Sequence, residues 1–79
     1  MIPHTEITDK ELKSLIRQRI ILFGGNARLK IYGLLNCRSG KRMKKENRVF
    51  FSSADEAIEN RYRPCGHCMP AEYRKWKTT

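Results

Sequence analysis

Two cysteines flank a two-residue turn in Pro64-Cys65-Gly66-His67-Cys68, and only one other cysteine, Cys37, occurs in the 79-residue chain. A C-x-x-C turn converges both sulfurs on one point while backbone N–H groups aim at them. Soft thiolates at this spacing favour zinc over magnesium or calcium, and a structural zinc site wants four ligands. The short chain makes this constraint severe. A chain of this size buries only about 60% of its unfolded surface, and such a core rarely supplies more than ~3–5 kcal/mol. Some staple is therefore required. An odd cysteine count argues against a disulfide framework. With no apolar signal-peptide core and no run long enough to span a bilayer, the expectation is a cytoplasmic, reduced, monomeric chain stapled by metal.

Charge narrows the partner. Lys and Arg total 17 against 8 Asp and Glu, a net +9. From Arg28 to Arg48 stand eight basic residues (Arg28, Lys30, Arg38, Lys41, Arg42, Lys44, Lys45, Arg48) and a single acid, Glu46. A polyanion partner accounts for such a skew, with a merely solubilising basic face as the plain alternative. The run lacks the interleaved apolar stripe of a membrane-surface helix. Lys41, Arg42, Lys44, Lys45 and Arg48 form the candidate phosphate-contacting set, and contacts of this kind position a protein without reading bases.

Local signals predict an α+β fold: a short antiparallel sheet with two to three short helices in one domain, residues 1–79. Thr8-Asp9-Lys10-Glu11 fits a capping box, and Leu12, Leu15, Ile16 and Ile20 recur at helical spacing, so a helix is expected over 9–22, ended by Gly24-Gly25. Leu29 to Leu35 alternates as a strand, with Leu29, Ile31 and Leu35 on one side and Lys30 and Tyr32 on the other; Gly33 marks a bulge. Residues 36–46 read as a basic loop carrying Cys37. Arg48-Val49-Phe50-Phe51 reads as a second strand contributing core. Ser53-Ala54-Asp55-Glu56 opens a helix with Ala57 and Ile58 inward, closed by a left-handed Asn60. Tyr32 and Tyr62 read as core residues with exposed hydroxyls. Pro70 suits the first turn of a final helix over 70–77, whose Trp76 would cap the domain.

The order Cys37, Glu46-Asn47-Arg48-Val49-Phe50-Phe51, Ser53-Ala54-Asp55-Glu56-Ala57 and Tyr62-Arg63-Pro64-Cys65-Gly66-His67-Cys68 resembles the Ada-type metal-binding domain, a zinc-containing methylphosphotriester repair module of bacteria. The similarity runs over roughly residues 30–70, giving a metal-binding core over 29–70. The resemblance implies four cysteines around one zinc. The first of them takes a methyl group irreversibly from a methylated DNA phosphate, and the methylated domain then binds specific DNA more tightly. Cys37 matches the first cysteine, and Cys65 and Cys68 match the third and fourth; by the same analogy Arg38, beside Cys37, would guide a DNA phosphate toward the metal and joins the DNA-contacting set. The second belongs four positions after the first, where this chain has Lys41.

Four thiolates on Zn²⁺ carry a net −2, whereas three with a neutral ligand carry −1, and a nearby ammonium makes the sulfurs poorer nucleophiles still. Zinc binding and DNA contact are therefore expected to survive the change, and full methyl-acceptor activity is not. Methyl transfer to Cys37 is the alternative reading; a zinc-stabilised protein-interaction module is a further one. His4, before the first helix, is the candidate fourth ligand, alongside His67 within the knuckle, a water-filled position, or no stable metal. His4-Thr5-Glu6 with Pro64-Cys65 and Cys68 also satisfies the H-x-E…P-C-x-x-C deaminase signature. That reading is set aside, because the chain is too short for the helix-covered sheet of such enzymes and Glu6 precedes its helix.

Overall fold

The computed structural model describes residues 1–37 and 43–78. Strand β1 (Ile2–Pro3) leads into a single 3-10 turn, His4–Glu6, and then into α1 (Asp9–Arg17). The capping box forms as predicted: Thr8 Oγ1 accepts from the Glu11 N–H and Glu11 Oε1 accepts from the Thr8 N–H, both at 3.1 Å. The helix stops at Arg17 rather than near residue 22. Arg19 turns left-handed at φ 60°, and the N–H groups of Arg19 and Ile20 bond back to the carbonyls of Ile16 (3.0 Å) and Leu15 (2.9 Å). This is a Schellman closure with arginine where glycine or asparagine usually stands, so composition did not signal it.

Gly24 and Gly25, expected to end the helix, lie instead in β2 (Phe23–Asn26), which pairs antiparallel with β3 (Ile31–Leu34) on one side and β4 (Arg48–Phe51) on the other. A Cβ on Gly25 would come within 2.8 Å of the Phe51 ring and 3.1 Å of the Ile31 carbonyl oxygen, so an inner strand needs glycine there. A second 3-10 turn, Lys45–Asn47, precedes β4. After β4 come α2 (Ala54–Glu59), β5 (Arg63–Pro64) and α3 (Pro70–Thr78). The five strands run in the order β1-β4-β2-β3-β5. The α+β expectation holds, but the sheet is mixed: β5 lies parallel to β3 while the other pairs are antiparallel.

The core sits on one face of this sheet, where Tyr32, Val49 and Phe51 meet Ala57 of α2 and Tyr62. Tyr32 is therefore a core residue, as read from the sequence, and its side of β3 is the one that faces α2. Tyr32 is 2% exposed and Leu29 61%, because the ring of Tyr32 packs edge-on against Phe23 inside the α2-covered face. Tyr62 likewise buries its hydroxyl, contrary to the exposed hydroxyl expected, and that oxygen has no hydrogen-bond partner among the described residues. Loss of water pushes both tyrosines above their ordinary pKa, with Glu72 and Asp55 adding to the effect on Tyr32.

Only Ala57 of the two expected α2 anchors is buried, because a helix of six residues offers one narrow inward face; Ile58 is 55% exposed. Its left-handed closing residue is Arg61 (φ 67°), one position beyond Asn60, and the Arg61 and Tyr62 N–H groups bond to the Ile58 and Ala57 carbonyls. Among the described residues no helix is long and apolar enough to cross a membrane.

Candidate metal centre

Alternation along the strands puts Gly24, Gly33 and Phe50 on the face away from the α2 core. Gly24 pairs directly with Gly33, so the sheet there is bare of side chains. The three cysteines gather over this bare patch. Cys37 follows β3 in a turn closed by its own N–H donating to the Leu34 carbonyl at 3.1 Å. Cys65 lies one step past the Tyr32–Pro64 pair and continues the parallel ladder, donating its N–H to the Tyr32 carbonyl at 2.7 Å. The knuckle then closes through the Met69 N–H on the Cys65 carbonyl at 3.0 Å. Helix α3 starts at Pro70 directly afterwards, as predicted.

The result is one cluster: the sulfurs of Cys37, Cys65 and Cys68 all lie within 4.8 Å of one another, with Cys37 and Cys65 at 3.9 Å. Thiolates around a tetrahedral zinc with ~2.3 Å bonds sit roughly 3.8 Å apart, whereas disulfide sulfurs sit at ~2.05 Å. The separations fit shared coordination of one cation. Withdrawal from water, reinforced by Cys37 and Cys65 and opposed by the Leu34 N–H, pushes the Cys68 thiol up to about 12. Left alone, that thiol stays protonated; a divalent cation reverses the preference, since a coordinating thiol gives up its proton outright.

Gly33 earns its place here by sterics, and the β3 pairing shows no bulge. A Cβ at Gly33 would stand 2.7 Å from Cys68 Sγ and 3.1 Å from Cys65 Cβ. The Leu34 N–H next door donates to Cys68 Sγ at 3.4 Å. Neither contribution was assigned from the sequence. A glycine interrupting a strand pattern is a signal for close backbone approach, but its partner lies 35 residues away (68 minus 33).

Beside the sulfurs opens a cavity of about 240 Å³ whose lining includes Cys37, Cys65, Leu35, Met43, Arg48 and Arg63. Arg48 lines the same cavity with its guanidinium over the Phe50 ring at 5.8 Å, and Arg63, which the sequence placed only within its motif, lines it too. Arg63 also lies over the rings of Tyr73 (5.2 Å) and Trp76 (5.7 Å), fixing α3 against β5. Lys44 and Lys45 are exposed just before β4. Arg38, Lys41 and Arg42 lie outside the described residues.

His4 does not join the cluster. It meets Phe50 edge-on at 5.2 Å, with one nitrogen 3.7 Å from the Asp9 carboxylate. Phe50 of β4 stands two strands from Gly33, roughly 10 Å across the sheet. The strand order removes the candidate fourth ligand, because β1 pairs with β4 and not with β3. His67 is exposed within the knuckle and also lies outside the cluster. With His4 away from Cys65 and Cys68, the deaminase arrangement is not assembled either.

A small mixed sheet with three thiols converging at one edge defines a metal-binding domain held together by sulfur. The family of the metal binding domain of Ada matches residues 18–71, more than half of the chain, and the chain belongs to that family. No curated protein and no solved structure matched it.

Proposed function

We propose that this domain holds one zinc ion through Cys37, Cys65 and Cys68 and binds DNA through its phosphate backbone. The observation that carries the reading is the meeting of three sulfurs from two distant segments over Gly33. Bound there, zinc supplies a fixed crosslink between the β3 turn and the knuckle, which is structural chemistry. The chain's own residues do the remaining work. Gly33 admits the sulfurs, the Leu34 N–H stabilises the Cys68 thiolate, and Arg63 locks α3 beside the knuckle.

The DNA part rests on charge and position. Exposed Lys44 and Lys45 and half-buried Arg48 form no ion pair with a carboxylate among the described residues. Arg38, Lys41 and Arg42 belong to the same basic segment of the sequence. Binding to duplex DNA should weaken with a log–log salt slope of about −0.9 per phosphate neutralised. Metal content by native mass spectrometry should be one zinc per chain. An affinity flat across salt, or a metal-free protein, would contradict the corresponding half of the reading.

A second reading is methyl-phosphotriester repair at Cys37, favoured by the position of Cys37 in the wall of the cavity between the metal centre and Arg48. The reaction would form an S–CH₃ bond, break the O–CH₃ bond and leave a phosphodiester anion. Against it stand Lys41 in place of a fourth thiol and the burial of Cys37, which is 7% exposed. Mass analysis after incubation with methylated DNA separates the two. One added methyl on Cys37 supports repair, and an unchanged mass supports binding alone.

A further inference from the structure

Three ligands gather at the metal centre, and among the described residues no fourth of the usual kinds meets them. Among the described residues, the Cys, His, Asp and Glu side chains that meet are Cys37, Cys65 and Cys68. Residues 38–42 are Arg, Ser, Gly, Lys and Arg, so the adjoining segment contributes none of those types. Three protein ligands with an open position is the pattern of zinc sites that receive an outside molecule. The cluster also adjoins a space able to receive one, since Cys37 and Cys65 wall the cavity of about 240 Å³. That volume lies below the ~300–1,000 Å³ of sites for drug-sized ligands, which limits the guest to a few heavy atoms.

The walls state the chemistry of the guest. Leu35 and Met43 give an apolar lining, poor at holding water. Arg48 and Arg63 line the same cavity, and neither is paired with a carboxylate among the described residues. A soft centre already holding thiolates favours another sulfur donor. A fourth thiolate takes the centre to −2, a charge favoured by two guanidinium groups of the same cavity lining, that of Arg48 resting over the Phe50 ring and that of Arg63 over Tyr73 and Trp76. Guanidinium forks in addition recognise a planar carboxylate.

We infer that the fourth position is filled from outside the chain by a small thiolate that also carries a carboxylate, seated in the cavity between Arg48 and Arg63. The inference rests on the zinc reading above and adds the identity of the fourth ligand.

The test uses the full chain loaded with Co²⁺ in place of zinc, with 3-mercaptopropionate as probe, and 2-mercaptoethanol and inorganic phosphate as comparisons. The expected result is a thiolate-to-cobalt absorption that rises and saturates with 3-mercaptopropionate, together with a native mass of one chain, one metal and one thiol. The neutral thiol should bind roughly tenfold more weakly, and Arg48→Gln or Arg63→Gln should shrink that difference, since a charge-assisted contact contributes about 1.5–3 kcal/mol. A loaded monomer whose spectrum no thiol changes overturns the inference, as does a response to phosphate alone, loss of the metal to the thiol, or a dimer that completes the site with a second copy. A protein that takes up no metal at all overturns the zinc reading itself, and the metal-to-protein ratio tells the two failures apart.

Discussion

The two edges of the sheet are closed by strands of equal length and held by different forces. At one edge β1 is two residues long and leans on β4. There the Met1 ammonium reaches Glu56 Oε2 at 2.8 Å, and His4 packs on Phe50. At the other edge β5 is equally short, but three sulfurs gather behind it. A two-residue strand cannot hold itself in water, so each edge needs an outside clamp. One clamp is an ion pair and a ring contact, and the other is a thiol cluster suited to a metal. The family match, residues 18–71, contains the sulfur edge and leaves out β1 and α1. The sulfur edge lies within the family match, and the N-terminal edge lies outside it.

The comparison breaks most sharply at the sulfurs. Chelating the metal, or replacing Cys65 by serine, should lower the melting temperature by more than about 15 °C, because binding of structural zinc couples directly to folding. A melting curve untouched by chelator would mean that both edges are held by packing alone. The next effect is steric. Gly33→Ala drives a methyl group into Cys68 Sγ and should cost about 1–3 kcal/mol while weakening metal affinity about 10–100-fold. Gly24→Ala is its control, since a Cβ there meets nothing nearer than 3.8 Å, and its effect should stay below about 1 kcal/mol. Competition titration against a chromophoric chelator separates the pair.

Smaller effects sharpen the contrast. Arg19→Gly and Arg61→Gly each remove left-handed strain from a helix closure and should raise stability in urea by about 0.5–1 kcal/mol without changing metal affinity. The N-terminal clamp should be weakest and sensitive to pH. The hydrogen bond from the Met1 ammonium, then that from the Ser52 N–H, hold the Glu56 carboxyl below its ordinary 4.5, against some desolvation. A depressed folded pKa stabilises fully above the unfolded value. Its contribution is therefore present above about pH 4.5 and drains away as pH falls through the lower folded pKa. Glu56→Gln should cost no more than about 1 kcal/mol at pH 7 and progressively less in acid. A cost that persists unchanged at low pH would show that the edge is held by packing.

How much of this was legible depended on the range of the interaction. The Thr8–Glu11 box and the start of α3 at Pro70 rest on contacts within a few residues, β4 was signalled by its run of β-forming residues, and each formed as read. The Ser53 box formed by half. Ser53 Oγ accepts from the Glu56 N–H, but the Glu56 carboxylate turns to Ser52 and Met1. The helix closures at Arg19 and Arg61 were illegible because arginine carries no preference for a left-handed backbone. Strand β2 was missed because its glycines read as a stop, and their purpose is to pass beneath Phe51 and beside Gly33.

By itself the sequence determined that a small basic chain with three cysteines would need a staple, and that the C-x-x-C turn and Cys37 were its material. Turn geometry and ligand softness are local properties, carried by residue type and spacing. Only the tertiary structure decided that β5 pairs parallel to β3, that Gly33 makes room for Cys68, and that His4 is drawn to Phe50 on another strand. Those outcomes follow from strand order and register, which place residues tens of positions apart within a few ångströms and which no short stretch of sequence encodes.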